Sequence, residues 1–217
     1  MVKNFLLIAA ITMLAACSNK KISGSHNNSG SGEWISLFDG KSLDGWKESE
    51  GPSFSIENGA IKVAGKRSHL YYDGPVQNHN FKNFEVKMQI LTKPNSNSGF
   101  YFHTLFQQKG FPDDGFEVQV NNSHKDWKRT AGLYDISEAR ETYVKDDEWF
   151  EMSIRVEGKH VITKINGQTI IDWTEPEGAT APKGHPGRLI KSGTFALQAH
   201  DPNSIVYFKD IYVKPLP

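Results

Sequence analysis

Apolar and polar residues alternate with a period of two along most apolar stretches of this chain. From Phe84 to Leu91, Phe84, Val86, Met88 and Ile90 alternate with Glu85, Lys87 and Gln89. Successive side chains of a strand point to opposite faces, so this pattern predicts a strand with one face on a core and one in water. Shorter stretches of the same kind run from Trp34 to Phe38, Phe54 to Ile56, Ala60 to Val63, Leu70 to Tyr72 and Trp149 to Val156. Others run from Val161 to Ile165, Thr169 to Trp173 and Ile205 to Val213. Asp39-Gly40 and Asp44-Gly45 read as turns, and Asn58-Gly59 and Asn166-Gly167 as hairpin turns. About eleven or twelve short, evenly spaced strands with little helix predict an all-β, jelly-roll sandwich of two antiparallel sheets.

Three further stretches alternate in a different way. In the run from Gly115 to His124, Phe116, Val118 and Val120 alternate with Glu117, Gln119 and Asn121. A strand predicted from Phe100 to Phe106 sets Phe100, Phe102 and Thr104 against Tyr101 and His103. Another, from Thr194 to His200, sets Phe195, Leu197 and Ala199 against Gln198 and His200. The second face of each carries amide, imidazole, phenol or carboxyl groups, which grip sugar hydroxyls and move protons. Two long connections, 122–147 and 175–192, are predicted to frame these strands, the first as an irregular lid. That lid carries His124, Trp127, Arg129, Tyr134 and Asp135.

Composition narrows the functional classes. The 217 residues carry a formal net charge of zero, which argues against a nucleic-acid partner held by a basic face. Lys3 is followed by an apolar run from Phe5 to Ala16 and then by Cys17, the chain's single cysteine. That run is short of the ~20 residues a spanning helix takes and reads as a secretory segment, residues 1–17. Leu14-Ala15-Ala16-Cys17 resembles the bacterial lipobox, which predicts lipidation of Cys17. Residues 18–32, rich in Ser, Asn and Gly, read as a flexible tether, and 33–217 as one β-sandwich domain. The expected location is the bacterial cell envelope, outer membrane or periplasm-facing, with membrane contact only through the lipid. Ser18 after the cysteine is compatible with the outer membrane.

Several segments, in order, resemble the 3-keto-disaccharide hydrolase domain family. They are SLFDGKSLDGW, NSGFYFH, GFEVQV, AGLYDI, INGQTI and GTFALQAHDPNSIVYFKDIYV, spread from Ile35 to Val213. The resemblance implies a concanavalin-like sandwich and a secreted enzyme acting on sugars oxidised to a ketone at C3. A C3 ketone acidifies the hydrogen on C2. Cleavage by proton abstraction and elimination or hydrolysis at C1 then needs a base, donors for the enolate oxygen and an acid for the leaving oxygen. It does not need the paired carboxylates of ordinary glycosidases. Only Glu117 ionises in the series Glu117, Gln119, Asn121, which makes it the candidate base, with His200 as candidate acid or electrophile. Tyr101, His103, Gln119, Asn121, His124, Arg129 and Gln198 are the candidate sugar ligands, and Asp135 a possible second carboxylate. No cofactor is implied. Glu117, His103 and His200 are metal-ligand types without a metal-ligand spacing, so a divalent metal stays open. Two other readings stand beside the enzyme. One is a non-catalytic carbohydrate-binding module on a lipid anchor, with Trp127 or Tyr134 stacking on a sugar. The other is a structural or adhesion lipoprotein.

Overall fold

A computed structural model of the protein describes residue 1 and residues 32–217. The secretory segment, Cys17 and all of the tether except Gly32 lie outside the described residues. In chain order the strands are β1 (Ile35–Ser36), β2 (Trp46–Glu48), β3 (Phe54–Glu57), β4 (Ala60–Ala64), β5 (Ser68–Tyr72), β6 (Phe84–Thr92), β7 (Ser98–Thr104) and β8 (Phe116–Val120). They continue as β9 (Arg129–Leu133), β10 (Ser137–Ala139), β11 (Phe150–Glu157), β12 (His160–Ile165), β13 (Gln168–Thr174), β14 (Thr194–Ala199) and β15 (Ile205–Pro215). One sheet runs β13-β12-β11-β6-β15-β4-β3, with β1 also paired to β15; the other runs β10-β9-β8-β7-β14-β5-β2. All strand pairs are antiparallel. The molecule is an all-β jelly-roll sandwich, and no helix among the described residues is long and apolar enough to cross a membrane.

Alternation builds the core between the sheets. Phe84, Val86, Met88 and Ile90 of β6 pack with Phe150, Met152, Ile154 and Val156 of β11 from one side. Phe100, Phe102, Phe116, Val118, Val120, Phe195 and Leu197 come from the other. Phe102 stacks on Phe116 at 5.2 Å and Phe81 on Phe195 at 4.3 Å, the offset geometry that aromatic pairs favour. The outer faces differ. In β6 and β11 the outward residues are half-buried, or exposed at Glu157, whereas every residue of β5, β7, β8 and β14 is buried. Loops cover the second sheet's outer face, so its polar side chains lie under protein.

Two expectations are corrected here. The stretch 122–147 is not an irregular lid, since it contains β9 and β10. Gly132, the left-handed Ala131 (φ 70°) and a register shift between β9 and β10 break the period of two that would have revealed them. The strand expected from Phe100 to Phe106 ends at Thr104, leaving Leu105 and Phe106 exposed on the loop that follows.

Candidate functional site

The site grows from the outer face of β8 and its neighbours. With Phe116, Val118 and Val120 in the core, Glu117 and Gln119 point outward. Pairing sets Tyr101 of β7 opposite Glu117, and Ala196 of β14 opposite both Tyr101 and Tyr71 of β5. The Tyr101 hydroxyl donates to Glu117 Oε2 at 2.7 Å. Gln198 Nε2 donates to Glu117 Oε1 at 3.1 Å and to the Tyr101 oxygen at 3.0 Å. Gly99 makes room: a Cβ there would stand 2.5 Å from Glu117 Oε1.

Above these groups is a cavity of about 150 Å³, whose lining includes Asn97, Tyr101, Glu117, Gln119, Gln198 and His200. Asn97 Oδ1 accepts from Gln119 Nε2 at 2.6 Å, which fixes the amide and leaves Gln119 Oε1 without a partner. Gln198 Oε1 and Arg188 Nε are also buried and unpartnered. Buried polar atoms are normally satisfied, so three open ones around one cavity mark where a hydroxylated ligand would complete the set.

Burial raises the Glu117 carboxyl above the ordinary carboxylate range. Hydrogen bonds from Tyr101 and Gln198 and the Arg188 charge offset part of that shift. Burial, then the neighbouring carboxylate, pushes the Tyr101 hydroxyl well upward, so it remains a donor. His200 Nδ1 lies 2.9 Å from Asp201 Oδ2, and Ser204 Oγ donates to the same oxygen at 2.7 Å. Burial alone would raise the Asp201 carboxyl, but the bonds from His200, Ser204 and the Asn203 amide lower it below its usual range. A carboxylate at Nδ1 selects the proton there, which leaves Nε2 as the other ring nitrogen of a residue that lines the cavity.

The structure thus brings Tyr101, Glu117, Gln119, Gln198 and His200 together. The other candidate sugar ligands do not line the cavity, although His124 borders it. His103 sits at a bulge, with φ 56° and a register shift between β7 and β14. Its ring packs on Phe84 and Phe102, and Nε2 donates to the Lys82 carbonyl at 2.9 Å, away from the cavity. Asn121 follows β8 and turns into the next loop, donating to the carbonyls of Asp126 and Lys128 at 3.0 and 2.7 Å. Arg129 Nη1 donates to Asn121 Oδ1 and to the carbonyls of His124 and Asp126. Asn121 and Arg129 therefore tie the 122–128 loop together. His124 stands beside the cavity, its ring 6.0 Å from that of His200. Asp135 does not line the cavity; its carboxylate is paired with Lys128 and with His185, and of these His185 is a lining residue. Trp127 packs under the Arg140 guanidinium, while Tyr134 lines the cavity.

Loops supply what the alternation did not reveal. Phe111 and Pro112 come from the 105–115 loop, Asp126 from the 122–128 loop, and His185 and Arg188 from the 175–193 loop. Arg188 is buried, and Nη1 donates to the Tyr134 carbonyl at 3.0 Å. The two loops are pinned together by the Gly115 amide on the Gly187 carbonyl, the Gly187 amide on the Asp113 carbonyl and the Lys191–Asp114 ion pair. No group of three or more His, Cys, Asp or Glu side chains forms a metal cluster among the described residues.

Fold and cavity together define a concanavalin-like jelly-roll sandwich with a polar site on the outer face of one sheet. Residues 33–214 match the 3-keto-alpha-glucoside-1,2-lyase-like domain, and the chain belongs to that family. A 3-keto-disaccharide hydrolase of Bacteroides thetaiotaomicron is 29% identical over a 175-residue alignment, which covers 65% of this chain and 60% of that relative. A structure from Parabacteroides distasonis ATCC 8503, named as a candidate glycosyl hydrolase, superposes with a TM-score of 0.71 at 23% identity, over 85% of this chain and 94% of that one. The carbohydrate-binding module CBM66 of Bacillus subtilis superposes with a TM-score of 0.56 at 13% identity, over 78% of this chain and 95% of that module.

Proposed function

We propose that the protein cleaves glycosides carrying a ketone at C3 of the sugar. The observation that carries this is the Glu117 carboxylate, buried at the cavity floor with a raised pKa and only hydroxyl and amide partners. Family membership and the named relatives support the sugar chemistry. In this reading Glu117 takes the proton from C2, and the electron pair forms the enolate of the C3 ketone. Arg188 stabilises the enolate oxygen. The C3 carbonyl then re-forms, C1 and C2 become doubly bonded, and the C1–oxygen bond breaks. The leaving oxygen takes its proton from protonated His200, which Asp201 orients. Water added at C1 of the unsaturated ketone completes a net hydrolysis. Gln119 and Gln198 hold sugar hydroxyls through their open carbonyl oxygens.

Glu117→Gln keeps the shape and the hydrogen bonds of the site and removes the base. Losing a general base typically costs about 100- to 10,000-fold in rate. Turnover of a 3-keto-disaccharide, followed by ultraviolet absorbance of the unsaturated product and by sugar release, should fall by that order while ligand binding persists. Turnover within a few-fold of the parent would favour a carbohydrate-binding module instead. We further propose lipid attachment at Cys17 in a bacterial envelope. Cys17→Ser should move the protein from the membrane to the soluble fraction; unchanged membrane retention would reject the anchor.

A further inference from the structure

The cavity above Glu117 measures about 150 Å³. Clefts that enclose a drug-sized ligand run to roughly 300–1,000 Å³, so this one takes a single ring and its substituents. Whatever is attached to that ring must cross the rim. Phe111 stands on the rim, 46% exposed, and the same loop exposes Leu105 at 54% and Phe106 at 38%. The loop is anchored. Gln108 Nε2 donates to the Ser49 carbonyl at 2.7 Å, and the Gly110 amide donates to Glu50 Oε2 at 3.1 Å. Phe106 packs edge-on to Tyr71 at 5.2 Å and Phe111 edge-on to His69 at 5.9 Å, so each ring is seated on the sheet's outer face while part of it stays exposed.

Beyond this ridge lies a second cavity of about 310 Å³, with Lys47, Tyr71, Asn78, Asn80, Phe106 and Thr194 in its lining. Tyr71 and Tyr101 flank Ala196 on neighbouring strands, so both cavities open on one face of one sheet. Two strand spacings, about 10 Å, separate the two tyrosine backbones. Gln77, Asn78 and His79 are consecutive left-handed residues, with φ of 52°, 51° and 46°. L-residues adopt that conformation at a cost, and here it sets the Asn78 and Asn80 side chains at the cavity wall. The Tyr71 hydroxyl is buried without a well-formed hydrogen bond. Asp73 and His79 also line it, and Lys47 Nζ stands 3.9 Å from the Phe106 ring centroid. Aromatic walls edged by amides, hydroxyls and these charged groups suit a sugar ring, whose CH face is apolar and whose hydroxyl edge is polar.

We propose that the second cavity is a distal saccharide subsite. A glycan whose oxidised ring sits over Glu117 crosses Phe111 and Phe106 and seats a further ring against Tyr71 and Phe106. The substrates favoured are then glycans of three or more rings. This rests on the reading of the Glu117 cavity as the keto-sugar site.

The test uses the full chain with Phe106→Ala and Asn80→Ala, and compares a 3-keto-disaccharide with the 3-keto-trisaccharide of the same linkage. Each variant should leave disaccharide kcat/KM within about two-fold and raise trisaccharide KM about ten-fold at unchanged kcat, the loss of one ring's contacts. Equal losses on both substrates, or no change on either, would overturn the subsite. A binding arm stands apart from catalysis. Unoxidised maltotriose and cellotriose are titrated into the parent, Phe106→Ala and Glu117→Gln proteins while backbone amide resonances of residues 78–80 and 105–107 are followed. Saturable shifts in the parent and Glu117→Gln, lost in Phe106→Ala, uphold the subsite even if the parent turns over neither keto-sugar. Absence of shifts rejects it. Tighter binding of 4-nitrophenyl glucoside at the same resonances would assign the cavity to an aryl group and overturn the saccharide.

Discussion

Gly99 decides where the Glu117 carboxylate rests. Its missing side chain is the space that Oε1 occupies, and an added Cβ would also stand 2.9 Å from Glu117 Cγ. The neighbours on that carboxylate leave it little freedom to retreat, because Tyr101 holds one oxygen and Gln198 the other. Gly99→Ala should therefore displace the carboxylate while sparing the sandwich. The backbone at Gly99 has no positive φ that an alanine would strain. Misplacing a catalytic group by about 1 Å costs on the order of 100-fold. We expect keto-sugar turnover to drop by roughly that factor, with a far-ultraviolet circular dichroism spectrum like the parent's. A variant as active as the parent would show that the carboxylate position does not matter to the chemistry.

The loops and the strands contribute differently to the site. The 175–193 loop brings Arg188, whose charge lowers the pKa of Glu117 against the larger, opposite effect of burial. Arg188→Met removes the lowering contribution, so the Glu117 carboxyl should titrate at still higher pH. A base works when deprotonated, so the acidic limb of the kcat/KM profile should move to higher pH in the variant. An unmoved limb would mean that Glu117 is not the group titrating there. Strands carried the information that could be read in advance. Strict alternation in the β8 and β14 stretches placed Glu117, Gln119, Gln198 and His200 on one polar face, and the structure joins them with Tyr101 of β7. A single bulge undid the reading for His103, because one extra residue reverses which face a side chain takes. Asn121 was lost for a related reason: the ladder ends at Val120, and beyond it alternation has no meaning. Arg188 and His185 carried no signal at all. They sit in a Gly- and Pro-rich loop whose course is set by contacts with the 105–115 loop, not by any local period.

Covering the outer face of a whole sheet has a consequence for the molecule as a unit. It buries His69 on the outer side, while His103 is buried on the core side. His69 of β5 is fully buried on the cavity side, 5.4 Å from the Tyr101 ring, with neither ring nitrogen hydrogen-bonded. Burial, with a smaller push from Arg67, lowers its pKa to about 3. His103 lies among phenylalanines, and burial lowers its pKa to about 4 despite the Lys82 carbonyl. Both fall below the ordinary histidine value of about 6.5, which applies in the unfolded chain. A depressed folded pKa means that the unfolded state binds protons first. The stability linked to these two groups is thus full above about pH 6.5 and is lost as pH falls toward 4 and 3. Each group contributes a slope of about 1.4 kcal/mol per pH unit inside that window. The melting temperature should therefore decline steeply between pH 6 and pH 4. His69→Phe keeps the ring contacts with Tyr101 and Phe111 and removes one titrating site. It should flatten the decline by about half without shifting the plateau downward at neutral pH, as read by calorimetry from pH 4 to 8. An identical decline in the variant would place the acid sensitivity elsewhere than in the buried imidazoles of this sheet.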